Sequence, residues 1–205
     1  MIGIVDYGMG NIKAFSNIYK QLDIPHKIIK SREHFKDVEK IILPGVGAFD
    51  HAMMCLEKSG LLETLNDLVL NKKKPILGVC VGMQMMAQGS DEGHLKGLGW
   101  IDASVRHFSE LTNEKIDLPH MGWNDVQVYK EHPLFKNLEK DAIFYFLHSY
   151  YFQEGSDSQI MSRTDYGEVF TSSIFKGNIF GVQFHPEKSH HWGVQLLKNF
   201  SELPC

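Results

Sequence analysis

Apolar positions in this chain follow two rhythms. In the first half, short apolar runs alternate with stretches in which apolar residues recur every three or four positions. Residues 2–5 (Ile-Gly-Ile-Val) read as a strand. Across 11–22, Ile12, Phe15, Ile18, Tyr19 and Leu22 share one face at helical spacing, which predicts a helix. Strands are predicted at 26–29 and 40–43. A helical pattern, broken near Gly60, covers 50–70, an apolar strand enters at 75–77, and a helix follows over 81–87. Strand–helix alternation implies parallel strands with helices on both faces. The second half is richer in strands, at 104–108, 126–129, 142–147, 169–175 and 179–184. Lys176-Gly177-Asn178 supplies a hairpin turn between the last two, and a helix over 194–203 closes the chain. The expected fold is α/β: a doubly wound, mixed, mostly parallel central sheet with flanking helices and extra antiparallel strands. In such sheets ligands sit beyond the carboxyl ends of the strands.

Composition narrows the class. With 205 residues, 43% hydrophobic and 22% charged, the chain suits a single domain over 1–205 with a substantial core. A net charge of −4 and the lack of a long Lys/Arg block argue against a nucleic-acid partner. Lys72-Lys73-Lys74 reads as a solvated loop before a strand. No apolar run approaches the ~18 residues of a membrane span, and Met1–Asp6 looks like a first strand rather than a signal peptide. Three cysteines without a C-x-x-C spacing form no disulfide framework, which suggests a reduced, cytoplasmic setting. Cys55 reads as core, and Cys205 as a frayed terminus.

Candidate chemistry centres on Gly78-Val79-Cys80-Val81-Gly82, between the apolar 75–77 run and the 81–87 helix. A cysteine at a sharp strand-to-helix turn is the thiol version of a nucleophile elbow, and the flanking glycines leave room for the tight turn. The helix N-terminus would favour the thiolate by only ~0.3–1 kcal/mol, so a base is required. His185, at the end of the 179–184 strand, is the best candidate. Glu187 lies two residues on, and extended geometry would place both on one side, as a base and its orienter. Leu43-Pro44-Gly45-Val46-Gly47 follows an apolar strand and could turn backbone N–H groups toward an oxyanion, with the Val81 N–H as second donor. His190 and His191 do not make a convincing metal site, and no metal is expected. Gly8-Met9-Gly10-Asn11 lacks the last glycine of a dinucleotide fingerprint. No cofactor site is read from the sequence.

These motifs resemble a known family. G-V-C-V-G-M-Q (78–84), F-H-P-E (184–187) and P-G-V-G (44–47) are similar to the triad, or class I, glutamine amidotransferases, which have a flavodoxin-like sheet. D-Y-G-M-G-N-I (6–12), P-H-M-G-W-N (119–124), H-S-Y (148–150) and Q-L-L-K-N-F (195–200) narrow the resemblance to glutaminase subunits of imidazole glycerol phosphate synthases. The resemblance implies that Cys80 attacks the glutamine amide, His185 moves the protons and Glu187 orients His185. It implies an oxyanion hole from Val46 and Val81, and substrate contacts from Gly47, Gln84, Ser149 and Tyr150. Ammonia would pass to a (β/α)8-barrel cyclase docked against Asn11, Met121, Trp123, Asn124, Tyr145 and Lys188, serving histidine biosynthesis. The bulky Lys188-Ser189-His190-His191-Trp192-Gly193 segment also resembles paralogues that supply ammonia for amidating a surface-polysaccharide sugar precursor, which is the alternative role.

Overall fold

The computed structural model describes residues 1–111, 116–138 and 142–204, excluding the side chains of Glu154 and Ser158. Cys205 lies outside the described residues. The first half runs β1 (Ile2–Val5), α1 (Ile12–Gln21), β2 (His26–Ile29), β3 (Lys40–Gly45), α2 (Phe49–Lys58), α3 (Leu62–Asn66), β4 (Ile76–Cys80) and α4 (Val81–Gln84). The second half adds β5 (Ala103–His107), β6 (His120–Asp125), β7 (Gln127–Val128), β8 (Ile143–His148), β9 (Tyr150–Glu154), β10 (Ile160–Asp165), β11 (Val169–Lys176), β12 (Ile179–Val182) and α5 (His190–Glu202). The main sheet has the order β2-β1-β3-β4-β12-β11-β10-β7. Its first five strands are parallel. From β12 onward the pairing is antiparallel, and β9 bridges β11 to β5. This is the predicted mixed α/β sheet. Strands β1, β3 and β4 are buried along their whole length. Being covered on both faces, they carry unbroken apolar runs rather than alternation.

The first-half strands fall where the pattern places them, although β3 continues through Pro44 and Gly45 before the turn. The 50–70 helical stretch breaks as predicted: Gly60 takes φ +71° and the run resumes as α3. The helix after the elbow is a single turn instead of reaching residue 87. The carbonyls of Met85, Met86 and Ala87 accept instead from Leu98, Ile101 and Gly99, so the segment after α4 bonds to a returning loop. α5 starts at His190, four residues earlier than predicted, because its first turn is polar and invisible to apolar periodicity. Of the 126–129 strand, only Gln127–Val128 pairs.

Three strands escape the pattern. In β10 the buried face passes from Ile160 to Ser162 and Thr164, so polar residues occupy two of its inward positions, and Ser162 Oγ lies 3.0 Å from Ser172 Oγ. In β6 the alternation is inverted: polar His120 is buried, whereas Met121 and Trp123 are 64% and 43% exposed. β9 follows directly on β8 with a single residue, Ser149, between them.

The close approach of β3 to the elbow depends on glycine. A Cβ at Gly82 would lie 1.9 Å from the Leu43 carbonyl oxygen, and one at Gly78 would lie 2.7 Å from the Gly82 carbonyl. Gly82→Ala therefore forces backbone apart in the sheet centre. Overpacking costs ~1–3 kcal/mol where side chains can yield. Here backbone must move, so a loss of at least about 3 kcal/mol is expected in denaturant unfolding.

Candidate active site

The elbow places Cys80 at the carboxyl end of β4, with β3 on one side and β12 on the other. Its backbone sits at φ +54°, ψ −115°. For a residue bearing a Cβ this is a strained conformation, worth ~1–3 kcal/mol, and it persists only because the surrounding packing imposes it. The reward is placement: the sulfur projects from the strand end into a pocket of about 420 Å³. A one-turn α4 carries less dipole than the longer predicted helix would, so anion stabilisation must come from side chains.

His185 faces this sulfur across the pocket. It does not extend β12, which ends at Val182, and the residues after it form a 3-10 turn, Pro186–Lys188. That turn, rather than an extended chain, brings Glu187 back: His185 Nδ1 lies 2.9 Å from Glu187 Oε1. Both side chains are almost fully buried, at 3% and 1% exposure. The His185 backbone is pinned at both ends. Its N–H donates to the Tyr145 carbonyl at 2.8 Å, and its carbonyl accepts from Ser189 Oγ at 2.6 Å. Burial opposes a charge on this imidazole, yet the neighbouring Cys80 sulfur and the Glu187 carboxylate together outweigh burial and push its pKa up to about 10.

Every residue named for the oxyanion or for substrate lines the same pocket: Val46 and Gly47 from the turn after β3, Val81 and Gln84 from α4, and Ser149 and Tyr150 from the β8–β9 junction. The Val46 turn is anchored from below, where Tyr7 Oη donates to the Pro44 carbonyl at 2.8 Å. Lys188, expected only at the docking face, also borders the pocket, and its Nζ lies 5.4 Å from the Tyr145 ring centroid. The remaining docking candidates stay outside the pocket. Met121, Trp123 and Tyr145 occupy the outer face of the β6–β8 ribbon, Asn124 points inward from it, and Asn11 is an exposed residue preceding α1. Trp123 stacks on His190, with ring centroids 5.0 Å apart and planes at 5°. Cys55 is half-buried rather than core, 3.7 Å from His51 Nε2.

Sequence reasoning overlooked three buried polar side chains. Gln183 donates to Cys80 Sγ at 3.7 Å and accepts from Gln84 Nε2 at 3.0 Å. His148, in the pocket wall, bonds at 3.0 Å to His120 behind it. The available signal was a polar residue inside an otherwise apolar run, as in Val182-Gln183-Phe184.

A strained cysteine, the histidine of a buried His–Glu pair and a glycine-bracketed turn line one pocket, an arrangement suited to acyl transfer from an amide. The comparison with known proteins agrees: residues 4–202 match the family model described as glutamine amidotransferase class-I. The chain belongs to that family. Among individual relatives, it is 53% identical to the imidazole glycerol phosphate synthase subunit HisH of Bdellovibrio bacteriovorus, covering 99% of this chain and 100% of that protein. It is 50% identical to the subunit of the same name from Leptospira interrogans, with the same coverage. Among solved structures, a glutamine amidotransferase superposes with TM-score 0.75 at 16% identity, covering 98% of this chain and 99% of that one. PurLQS from Thermotoga maritima superposes with TM-score 0.69 at 17% identity, covering 97% and 96%. These two share the fold.

Proposed function

We propose that this chain is the glutaminase subunit of an imidazole glycerol phosphate synthase, hydrolysing glutamine and passing the ammonia to a cyclase partner in histidine biosynthesis. The observation that carries this reading is the buried Cys80–His185–Glu187 constellation at the elbow. Relatives 50% and 53% identical over their full length supply the pathway.

His185 takes the thiol proton as the Cys80 sulfur adds to the side-chain amide carbon of glutamine, and the carbonyl oxygen takes up the negative charge. The N–H groups of Val46 and Val81 hold that oxyanion. His185 donates a proton to the departing nitrogen, ammonia leaves, and a glutamyl thioester remains. The now neutral His185 takes a proton from water, which attacks the thioester; glutamate leaves and His185 returns the proton to the Cys80 sulfur. Glu187 holds His185 in the productive tautomer throughout. Gly47, Gln84, Ser149 and Tyr150 bind the amino-acid end of the substrate.

The partner reading rests on the β6–β8 ribbon. Its outer face exposes Met121, Trp123 and Leu147 beside Lys188 at the pocket mouth. A (β/α)8 cyclase covering this face would also contact Tyr145 and Asn11, whereas Asn124, expected at the docking face, is turned inward onto His120 and the Asp165 carbonyl. Among the described residues no helix is long and apolar enough to cross a membrane, in keeping with a cytoplasmic enzyme.

The direct test is co-purification with the candidate cyclase, followed by synthesis driven by glutamine or by ammonium. Glutamine-driven formation of imidazole glycerol phosphate is the expected result. Pairing instead with a sugar-amidating synthase would support the alternative role. A second expectation concerns control. If the Val46 peptide completes the oxyanion hole only in the assembled, liganded complex, glutamine turnover should rise about 10²–10³-fold when the cyclase binds its ligand, the usual worth of one such donor. Equal turnover by the lone chain and the liganded pair would remove that role from Val46.

A further inference from the structure

Through the pocket wall and behind it runs a line of hydrogen bonds whose polarity is fixed by backbone carbonyls, which can only accept. Tyr150 O accepts from His148 Nδ1 at 2.7 Å, so His148 carries its proton on Nδ1 and offers Nε2 as an acceptor. His120 Nδ1, 3.0 Å away, must therefore be the donor. His120 Nε2 in turn accepts from Asn124 Nδ2 at 3.2 Å. The orientation of that amide is also fixed, because Asn124 Nδ2 donates to the Asp165 carbonyl at 2.8 Å and Asn124 Oδ1 accepts from the Asp125 N–H at 2.8 Å.

The same Tyr150 carbonyl accepts from Gln84 Nε2 at 3.3 Å. Gln84 Nε2 also donates to Gln183 Oε1, which leaves Gln183 Nε2 to face Cys80 Sγ at 3.7 Å. The line thus runs from the β6–β8 ribbon to the sulfur, and every direction along it is determined.

Two further facts show that it is held rigidly. His120 is clamped between Phe146, with centroids 4.6 Å apart, and Tyr166, at 3.9 Å, both nearly parallel to it. Burial keeps both histidines neutral, pushing His120 down to about 4 and His148 to about 3. For His148, nearby His120 and His185 add to the effect of burial and the bond to Tyr150 opposes it. A second proton on His148 would set N–H against N–H, so the neutral arrangement is the one that fits.

We propose that His120 and His148 are positioning residues for the thiol: they set the Tyr150 carbonyl, and through Gln84 and Gln183 they set the Cys80 sulfur. This rests on the glutaminase reading above. It adds that the inner face of the β6–β8 ribbon, and not only its outer face, is tied to the reacting atom. Small displacements of a nucleophile are costly, roughly 10²-fold per ångström, so His120, which does not line the pocket, can matter without touching substrate.

The test is a double-mutant cycle on the complex with its cyclase, read by kcat for glutamine hydrolysis, with ammonium-driven synthesis as the control for an intact pair. His120→Phe keeps the ring between Phe146 and Tyr166 but removes both hydrogen bonds. Gln183→Met removes the link to the sulfur. Each single variant should lose about 10- to 100-fold in kcat, with ammonium-driven synthesis unchanged. The double variant should be no worse than the poorer single one, because the line is already cut. Residues that merely hold the fold would instead multiply their losses. Multiplicative losses, or a His120→Phe variant with full glutamine turnover, would overturn the proposal. Should Gln183→Met fail to fold, Gln183→Glu keeps the shape while setting an acceptor against the sulfur, and the same cycle applies. A wild-type complex inactive with glutamine but active with ammonium would sink the glutaminase reading itself, an outcome distinct from these.

Discussion

Cys80→Ala should abolish glutamine-driven synthesis and leave ammonium-driven synthesis by the complex at its original rate. The elbow delivers one sulfur into the pocket, and the other described cysteine, Cys55, is half-buried on α2 and does not line it. Among the described residues no second cysteine is placed to replace it. Losing the nucleophile of a three-residue catalytic unit removes roughly 10⁴–10⁶-fold in turnover. Folding should survive, since alanine fits wherever cysteine fits and the flanking glycines keep the turn open. The positive φ of residue 80 strains both residues alike. The measurement is a pair of product assays on one preparation. Loss of ammonium-driven synthesis as well would mean that the residue supports the assembly rather than the chemistry.

Glu187→Gln should cost about 10²–10⁴-fold in kcat and should also move the alkaline limb of the pH profile. Wild-type His185 has a folded pKa of about 10, above the ~6.5 of an unperturbed histidine. A raised pKa has a definite sign. The imidazolium, and the stability it contributes, are fully present below pH ~6.5 and are lost as pH rises through about 10. Activity that needs a protonated His185 to release ammonia should fall over the same upper range. Glutamine at position 187 keeps a hydrogen-bond acceptor but removes the negative charge, so the limb should shift to lower pH. A pH–rate profile of kcat/KM compares the two enzymes directly. An unmoved limb would take Glu187 out of the proton-transfer unit and leave it a packing role.

The parallel half of the sheet was legible because β1, β3 and β4 are buried on both faces and α1 is amphipathic: Phe15 and Tyr19 lie under α1 where the three-to-four spacing puts them. The elbow was legible because a cysteine between two glycines, directly after an apolar run, suits a sharp strand-to-helix turn and little else. The close backbone contacts at Gly78 and Gly82 are those such a turn requires. The His185–Glu187 pairing was anticipated for a reason that did not hold. Extended geometry was invoked, and a 3-10 turn closes the gap instead. Strands β6 and β10 stayed hidden because their buried faces are polar. His120 in one strand pairs with His148, and Ser162 in the other pairs with Ser172, so no apolar alternation marks either strand. The same property concealed Gln183 and His148, whose partners are far away in sequence.

The ribbon that escaped the apolar pattern also governs how the chain fares by itself. It turns Met121, Trp123 and Leu147 toward water, a greasy strip beside the catalytic mouth. On the proposed pairing, copies made in excess of the cyclase have only one another to bury that strip against, so the ratio in which the two chains are produced would set how much of this one stays dispersed.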